Sequence, residues 1–389
     1  MAATFIYSAK RSAIASFQGS LSQLSAPEIA SSVIKDTLKN FEVEKLNEVY
    51  MGCVLTAGVG QAPARQAALK AGLPQNVPCT TVGKVCGSGL KSVMLADLSI
   101  RSGEAQFILA GGMESMSQSP YLLPKIRMGL RLGNGELVDS MIKDGLWDVY
   151  NNFHMGSAAE ICVKKHNLTR EDQDKLAALS YKRAQNSIAQ GLFKNEIATI
   201  EIKNKKGNIL FEVDEEASKF DPAKAATLRP VFDPQGTVTA ANASSLSDGA
   251  AALLLGSEEQ GKSLKPLARV VAQAQAAQDP VWFTTAPAES IRVLLKKANL
   301  KASDIDLWEI NEAFAAVALV NMNMLELDPS KVNVRGGAIA LGHPIGASGA
   351  RILVTLVHAL QQSKKRWGVA SLCIGGGEAT SVLIENLDL

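Results

Sequence analysis

The sequence predicts an α/β protein built from two similar halves with a subdomain inserted into the first. Three observations support this. Strands alternate with helices, as in layered α/β folds. The alternation runs through the chain twice, and between about residues 117 and 246 it loosens. At 389 residues the chain suits two or three domains, and 47% hydrophobic against 20% charged residues is enough for a large core.

The elements follow in order. Residues 4–7 form a first strand. Ala26-Pro27-Glu28-Ile29 opens an amphipathic helix, with proline and an acid in its first turn. Residues 43–49 lead into a strand. A turn at Val85-Cys86-Gly87-Ser88-Gly89-Leu90 starts a helix anchored by the spacing of Leu90, Val93, Met94 and Leu98, and residues 106–110 form a strand ending in Gly111-Gly112. Later, Ala286-Pro287-Ala288-Glu289 opens a similar helix and residues 303–310 lead to another short strand. A turn around His343, a helix through Ile352 and Leu356, and a strand at 369–372 ending in Gly375-Gly376-Gly377 match the Cys86 turn and its sequel. The last strand is at 381–384. Charged and turn-rich stretches at 124–127, 203–207 and 233–236, with one polar helix near 170–190, mark the intervening part. A structureless loop that long is improbable, so a lid subdomain is expected. The division is 1–116 plus 247–265, the lid at 117–246, and 266–389.

A net charge of +2 gives no reason to expect a nucleic-acid or membrane partner, and no apolar run approaches the roughly 20 residues that span a bilayer. The first residues read as the edge of a folded domain, so a cytoplasmic protein is expected. The five cysteines are scattered without a Cys-x-x-Cys pair, which suggests neither a disulfide framework nor a zinc site. Metal ligands and cofactors are expected to be none.

Cys86 is the leading nucleophile. A thiol at a helix N-terminus sits among unpaired N–H groups at the positive end of the dipole, which favours its thiolate. Gly87 and Gly89 allow a substrate close to the backbone. His343 occupies the corresponding turn of the second half and is expected to be exposed and within reach of Cys86. Cys373 precedes three glycines whose N–H groups could stabilise an oxyanion. Cys53, Cys79 and Cys162 read as buried small hydrophobes, and His166 and His358 as structural.

Lys84-Val85-Cys86-Gly87-Ser88-Gly89-Leu90-Lys91, Asn311-Glu312-Ala313-Phe314-Ala315, Gly342-His343-Pro344-Ile345-Gly346-Ala347-Ser348-Gly349 and Cys373-Ile374-Gly375-Gly376-Gly377 together resemble the thiolase family, across essentially the whole chain. The resemblance implies a five-layered αβαβα core, a lid over the active site and a homotetramer built from dimers. It implies Cys86 as the acylated residue, His343 as its base and Cys373 as the second acid–base group. Asn311 would hold a water that forms one oxyanion hole with His343, and the N–H groups of Cys86 and Gly375 would form the other. His154, Met155, Ser244, Phe283 and Phe314 would line the substrate channel. The implied reaction condenses two acetyl-CoA into acetoacetyl-CoA and CoA, reversibly and by ping-pong steps. Coenzyme A thioesters would be substrates, not cofactors.

Several positions depart from the family pattern. Gly83 and Arg335 replace asparagines, which puts loop support and subunit contacts in question. Ser218 replaces an arginine, with Lys219 beside it, and bears on nucleotide phosphate binding. Phe283 stands where methionine is common, and Glu378 where a small or apolar residue is common. A broader-range 3-ketoacyl-CoA thiolase is the nearest alternative. A decarboxylating ketoacyl synthase would use two histidines, and a non-catalytic acyl-CoA binder would be expected to lose Cys86, His343 or Cys373.

Overall fold

The architecture was read from a computed structural model that describes residues 3–203, 207–261 and 264–389. Residues 204–206 of the charged stretch at 203–207, and 262–263 of the segment 247–265, lie outside the described residues, as do the first two.

The first half contributes β1 (Thr4–Ser12), β2 (Glu48–Gly52), β3 (Cys79–Val82), β4 (Phe107–Ser115) and β5 (Ser247–Ser257). The second contributes β6 (Ala268–Ala277), β7 (Leu307–Ile310), β8 (Trp367–Ile374) and β9 (Glu378–Asn386). These strands run in the order β7-β8-β9-β6-β1-β5-β4-β2-β3 within an eleven-stranded sheet, completed by two short strands that pair with the ends of the central strands β1 and β5. Pairing is antiparallel from the centre outward as far as β4 and β8, then parallel at β2–β4, β2–β3 and β7–β8. The halves thus mirror each other. Even the outer strand β3 has a vestige, the parallel bridge from Trp308 to Val332. The two halves are joined along one edge, where Thr4–Ile6 pairs with Ala268–Val270.

Helices complete five layers. α1 (Ala26–Thr37) and α2 (Pro63–Lys70) cover the outer face of the first half, and α6 (Ala286–Ala298) and α7 (Ala315–Leu325) that of the second. Between the halves lie α3 (Ser88–Ser102) and α8 (Ile345–Ser363). α1 starts as its sequence suggests, with Pro27 in the first turn and Glu28 accepting from the Ser25 N–H at 3.0 Å. Ile29, Val33 and Ile34 then face the sheet, as Ile291, Leu294 and Leu295 do on α6. α8 is buried almost all round, the mark of a helix enclosed by a core, and each fully buried Leu or Ile on it contributes about 1.5–3 kcal/mol.

One expected core contact is absent. Leu98 of α3 is 52% exposed; the buried position in that turn is Asp97, which accepts from Arg101 at 2.6 Å and Gln273 at 2.7 Å. The helical stripe through Leu90, Val93 and Met94 continues three residues after Met94, not four.

Between β4 and β5 the chain carries α4 (Met155–His166), α5 (Arg170–Ala189) and short strands and turns. α5 begins with a Thr169–Asp172 capping box. A buried ionic cluster ties this segment to the core. Glu196 accepts from Arg11 Nε at 2.6 Å, Arg335 Nη1 at 3.2 Å and Thr355 at 2.9 Å, and Asp214 takes the other face of Arg11. Arg335, flagged as a departure, therefore supports its loop from within the chain, through Glu196, Gln362 and the His358 carbonyl. Removing one member of such a buried cluster costs about 3–5 kcal/mol. The other flagged cation, Lys219, pairs with Glu216 at 3.0 Å.

Candidate active site

The two turns come together because the helices behind them touch backbone to backbone. A Cβ on Gly89 of α3 would stand 2.9 Å from Ala350 N of α8, and one on Gly349 would stand 2.5 Å from Leu90 N. Only glycine permits this approach. Cys86 lies just before α3 and His343 just before α8, so the crossing fixes both at one end of the middle layer. Glu114 of β4 holds the other side. Its buried carboxylate accepts from Val54 N at 3.0 Å, Leu55 N at 3.2 Å and Gly346 N at 2.9 Å, joining the first half to the first turn of α8. Burial pushes this carboxyl up to about 7.

A cavity of about 510 Å³ opens over these turns, in the range of small-molecule sites. Cys86, His343, Cys373, Gly375, His154, Met155, Ser244, Phe283 and Phe314 all line it. Asn311 does not. It follows β7 and is buried behind the wall, with its backbone N–H on the Ser371 carbonyl at 3.0 Å. Arg351 Nη2 approaches its Oδ1 at 3.5 Å, and its Nδ2 has no hydrogen-bond partner among the described residues.

Desolvation governs the acid–base groups. The backbone N–H groups of Gly375 and of Cys86 itself favour the ionised form of the Cys86 thiol, but burial outweighs them and pushes it up to about 11. The expectation of a thiolate favoured by its helix end is corrected accordingly: the resting group is a thiol and needs a base. Burial, with Cys86 close by, raises Cys373 well above its ordinary value.

His343 is buried, not exposed as expected: its N–H donates to the Ser245 carbonyl of the inserted segment at 3.2 Å, and the turn packs against Ser247 and Ile14. Ser348 Oγ donates its one proton to the Pro344 carbonyl at 2.9 Å and lies 2.6 Å from His343 Nδ1. With the hydroxyl proton on that carbonyl, the Oγ accepts from Nδ1–H, the tautomer that leaves Nε2 with a free lone pair. Nε2 has no partner among the described residues. Burial and the positive charge of Arg351 lower the imidazole to about 3, so it rests neutral.

The roof is aromatic. His154 caps α4, accepting from Gly156 N at 3.1 Å, and stacks on Phe232 at 4.7 Å. Phe232 meets Phe314 edge-on at 6.2 Å, and Phe314 meets Phe283 at 6.4 Å. Ser244 donates to the Ala313 carbonyl at 2.9 Å, which fixes the loop before Phe314. Sequence reasoning missed Phe232, Met141 and Ile345 in this wall, and Ser348 beneath it. Ile345 and Ser348 carried a signal, as parts of the His343 motif. His358 is structural as expected, with Nε2 2.9 Å from the Ala9 carbonyl.

Residues 4–259 match the thiolase N-terminal domain and residues 264–386 the thiolase C-terminal domain. The chain belongs to the thiolase family. It is similar to the acetyl-CoA acetyltransferase of Schizosaccharomyces pombe, 47% identical over 98% of each chain. It is similar to that of Cupriavidus necator, 49% identical over 98% of each chain. The mitochondrial acetyl-CoA acetyltransferase of Rattus norvegicus is 50% identical over 98% of this chain and 91% of its own. The crystal structure of the Bacillus anthracis acetyl-CoA acetyltransferase superposes with a TM-score of 0.97 at 40% identity, covering 100% of this chain and 99% of that one. This thiolase thus shares the five-layered fold from end to end.

Proposed function

We propose that this thiolase is an acetyl-CoA C-acetyltransferase that joins two acetyl-CoA into acetoacetyl-CoA and CoA, and runs in reverse. The observation that carries the reading is the convergence of two thiols, a neutral imidazole with an unpartnered Nε2 and Gly375 on the wall of one apolar cavity. His343 Nε2 takes the Cys86 proton, and the thiolate attacks the acetyl carbonyl, whose oxyanion rests on the N–H groups of Cys86 and Gly375. CoA leaves as a thiolate and takes the Cys373 proton. The Cys373 thiolate then removes an α-proton from a second acetyl-CoA. The imidazolium of His343, with Asn311 behind it, stabilises the enolate oxygen. The enolate carbon attacks the acetyl-Cys86 carbonyl, the C–S bond breaks, and Cys86 recovers its proton from His343. High thiol pKa values suit this chemistry, since an ionised Cys373 is a strong base.

The reaction draws only on the chain's own groups, and His154, Met155, Ser244, Phe283 and Phe314 line the acyl and pantetheine path. The reading includes a cytoplasmic homotetramer. Among the described residues no helix is long and apolar enough to cross a membrane. Exposed Met128, Leu132 and Leu137, at 87%, 100% and 69%, supply apolar surface that association would cover.

Phe283 sets the expected chain length. It is 2% exposed, braced by Phe314, and an aromatic ring cannot flex aside as a methionine does. CoA-dependent cleavage of acetoacetyl-CoA should be preferred over six-carbon and longer 3-ketoacyl-CoA, and Phe283→Ala should relax the limit. Comparable kcat/KM for four- and eight-carbon substrates would assign a broad-range 3-ketoacyl-CoA thiolase instead.

A further inference from the structure

We infer that Lys84 and Glu378 form a latch across the two halves that holds the nucleophile turn against the glycine loop. Lys84 lies two residues before Cys86, and Glu378 opens β9 three residues after Gly375. Their side chains form an ion pair while only 20% and 38% exposed. Glu378 stands on a fixed base, since it pairs across the glycine turn with Ile374 and on its other side with Ala277. The nucleophile turn has no such sheet behind it. It contains Val85 at φ +43°, a left-handed conformation that a β-branched residue adopts only under constraint, at about 1–3 kcal/mol.

Local hydrogen bonds supply part of the constraint. Ser88 Oγ accepts from Lys84 N at 2.8 Å and donates to the Val85 carbonyl at 2.7 Å, and Gly87 N donates to the Lys84 carbonyl at 3.0 Å. These bonds shape the turn but do not press it against the other half. Contact there is close: a Cβ on Gly87 would meet Ile374 Cδ1 at 2.4 Å, and one on Gly375 would lie 3.6 Å from Val85 Cγ1. The ion pair spans the same seam, beside Gly375, which lines the cavity together with Cys86 and whose N–H favours the Cys86 thiolate. Both members are positioning residues, acting through the placement of that N–H.

The inference rests on the acyl-transfer reading for its kinetic readout only. Wild type, Lys84→Met, Glu378→Gln, the double variant and the exchanged pair K84E/E378K should be compared as full chains at low salt. Each single substitution should lower kcat for acetoacetyl-CoA cleavage about fivefold, the scale of one partly exposed ion pair, with KM nearly unchanged. The double variant should be no worse than either single, and the exchanged pair should recover most of the loss. Alkylation of Cys86 by iodoacetamide, followed by peptide mapping, should slow in the singles and recover in the exchange, because the Gly375 N–H no longer favours the thiolate. Equal alkylation rates in all five proteins would overturn the latch, whatever thiolysis shows. So would a double variant whose loss is the product of the single losses. Absence of cleavage by wild type would instead refute the acyl-transfer reading, and alkylation would still decide the latch.

Discussion

His343→Asn is expected to lower kcat for CoA-dependent cleavage of acetoacetyl-CoA a hundredfold or more, the scale of a lost general base. Asparagine is chosen because an amide can still donate to Ser348, where His343 Nδ1 now lies 2.6 Å from Oγ, while offering no lone pair of comparable basicity. Alanine would leave a hole in a site that proved to be buried. The same variant tests the protonation state through stability. Burial and Arg351 lower the folded imidazole to about 3 against an ordinary value of 6.5. Between those values the unfolded chain binds a proton that the native one does not, so this residue makes stability fall as pH drops below 6.5. Above 6.5 it contributes no such dependence. The variant lacks the liability. Its melting midpoint relative to wild type should therefore stay level from pH 7.5 to about 6.5 and rise from there down to pH 5, and a pH-independent difference would contradict a buried neutral histidine. Near-normal turnover would remove His343 from the mechanism.

Cys373→Ser is expected to abolish exchange of the acetyl-CoA methyl protons with solvent while acetylation of Cys86 stays detectable. A serine hydroxyl is far too weak an acid to give up its proton to a departing thiolate, so no base is formed for the α-carbon. The fold should tolerate the change, because the side chains are close in size and Cys373, next to last in β8, keeps its pairing with Ala379 of β9. Exchange at the wild-type rate would require another base, and loss of both half-reactions would place Cys373 in acylation as well.

The repeat was legible because its local signals are physical and independent. Pro27 with Glu28, and Pro287 with Glu289, mark the first turns of α1 and α6. Gly89 and Gly349 stand where two helices cross. Cys86 and His343 follow from that symmetry. What stayed hidden depends on three-dimensional surroundings. The thiol of Cys86 is governed by desolvation, which a helix-end argument omits. Phe232 reaches the wall because Gly156, far away in sequence, has no side chain where the ring lies. The Arg335–Glu196 pair likewise joins residues whose neighbours in the chain give no hint of each other. Leu98 was misplaced by choosing the wrong one of two allowed helical spacings.

The central claim is that Cys86 carries the acyl group. Brief incubation with acetyl-CoA, acid quenching and peptide mass mapping tests it without assuming any later step. The acetyl group should be found on the peptide containing Cys86 and be lost on adding CoA. Acetylation of Cys373 in its place, or none on Cys86, would contradict the account.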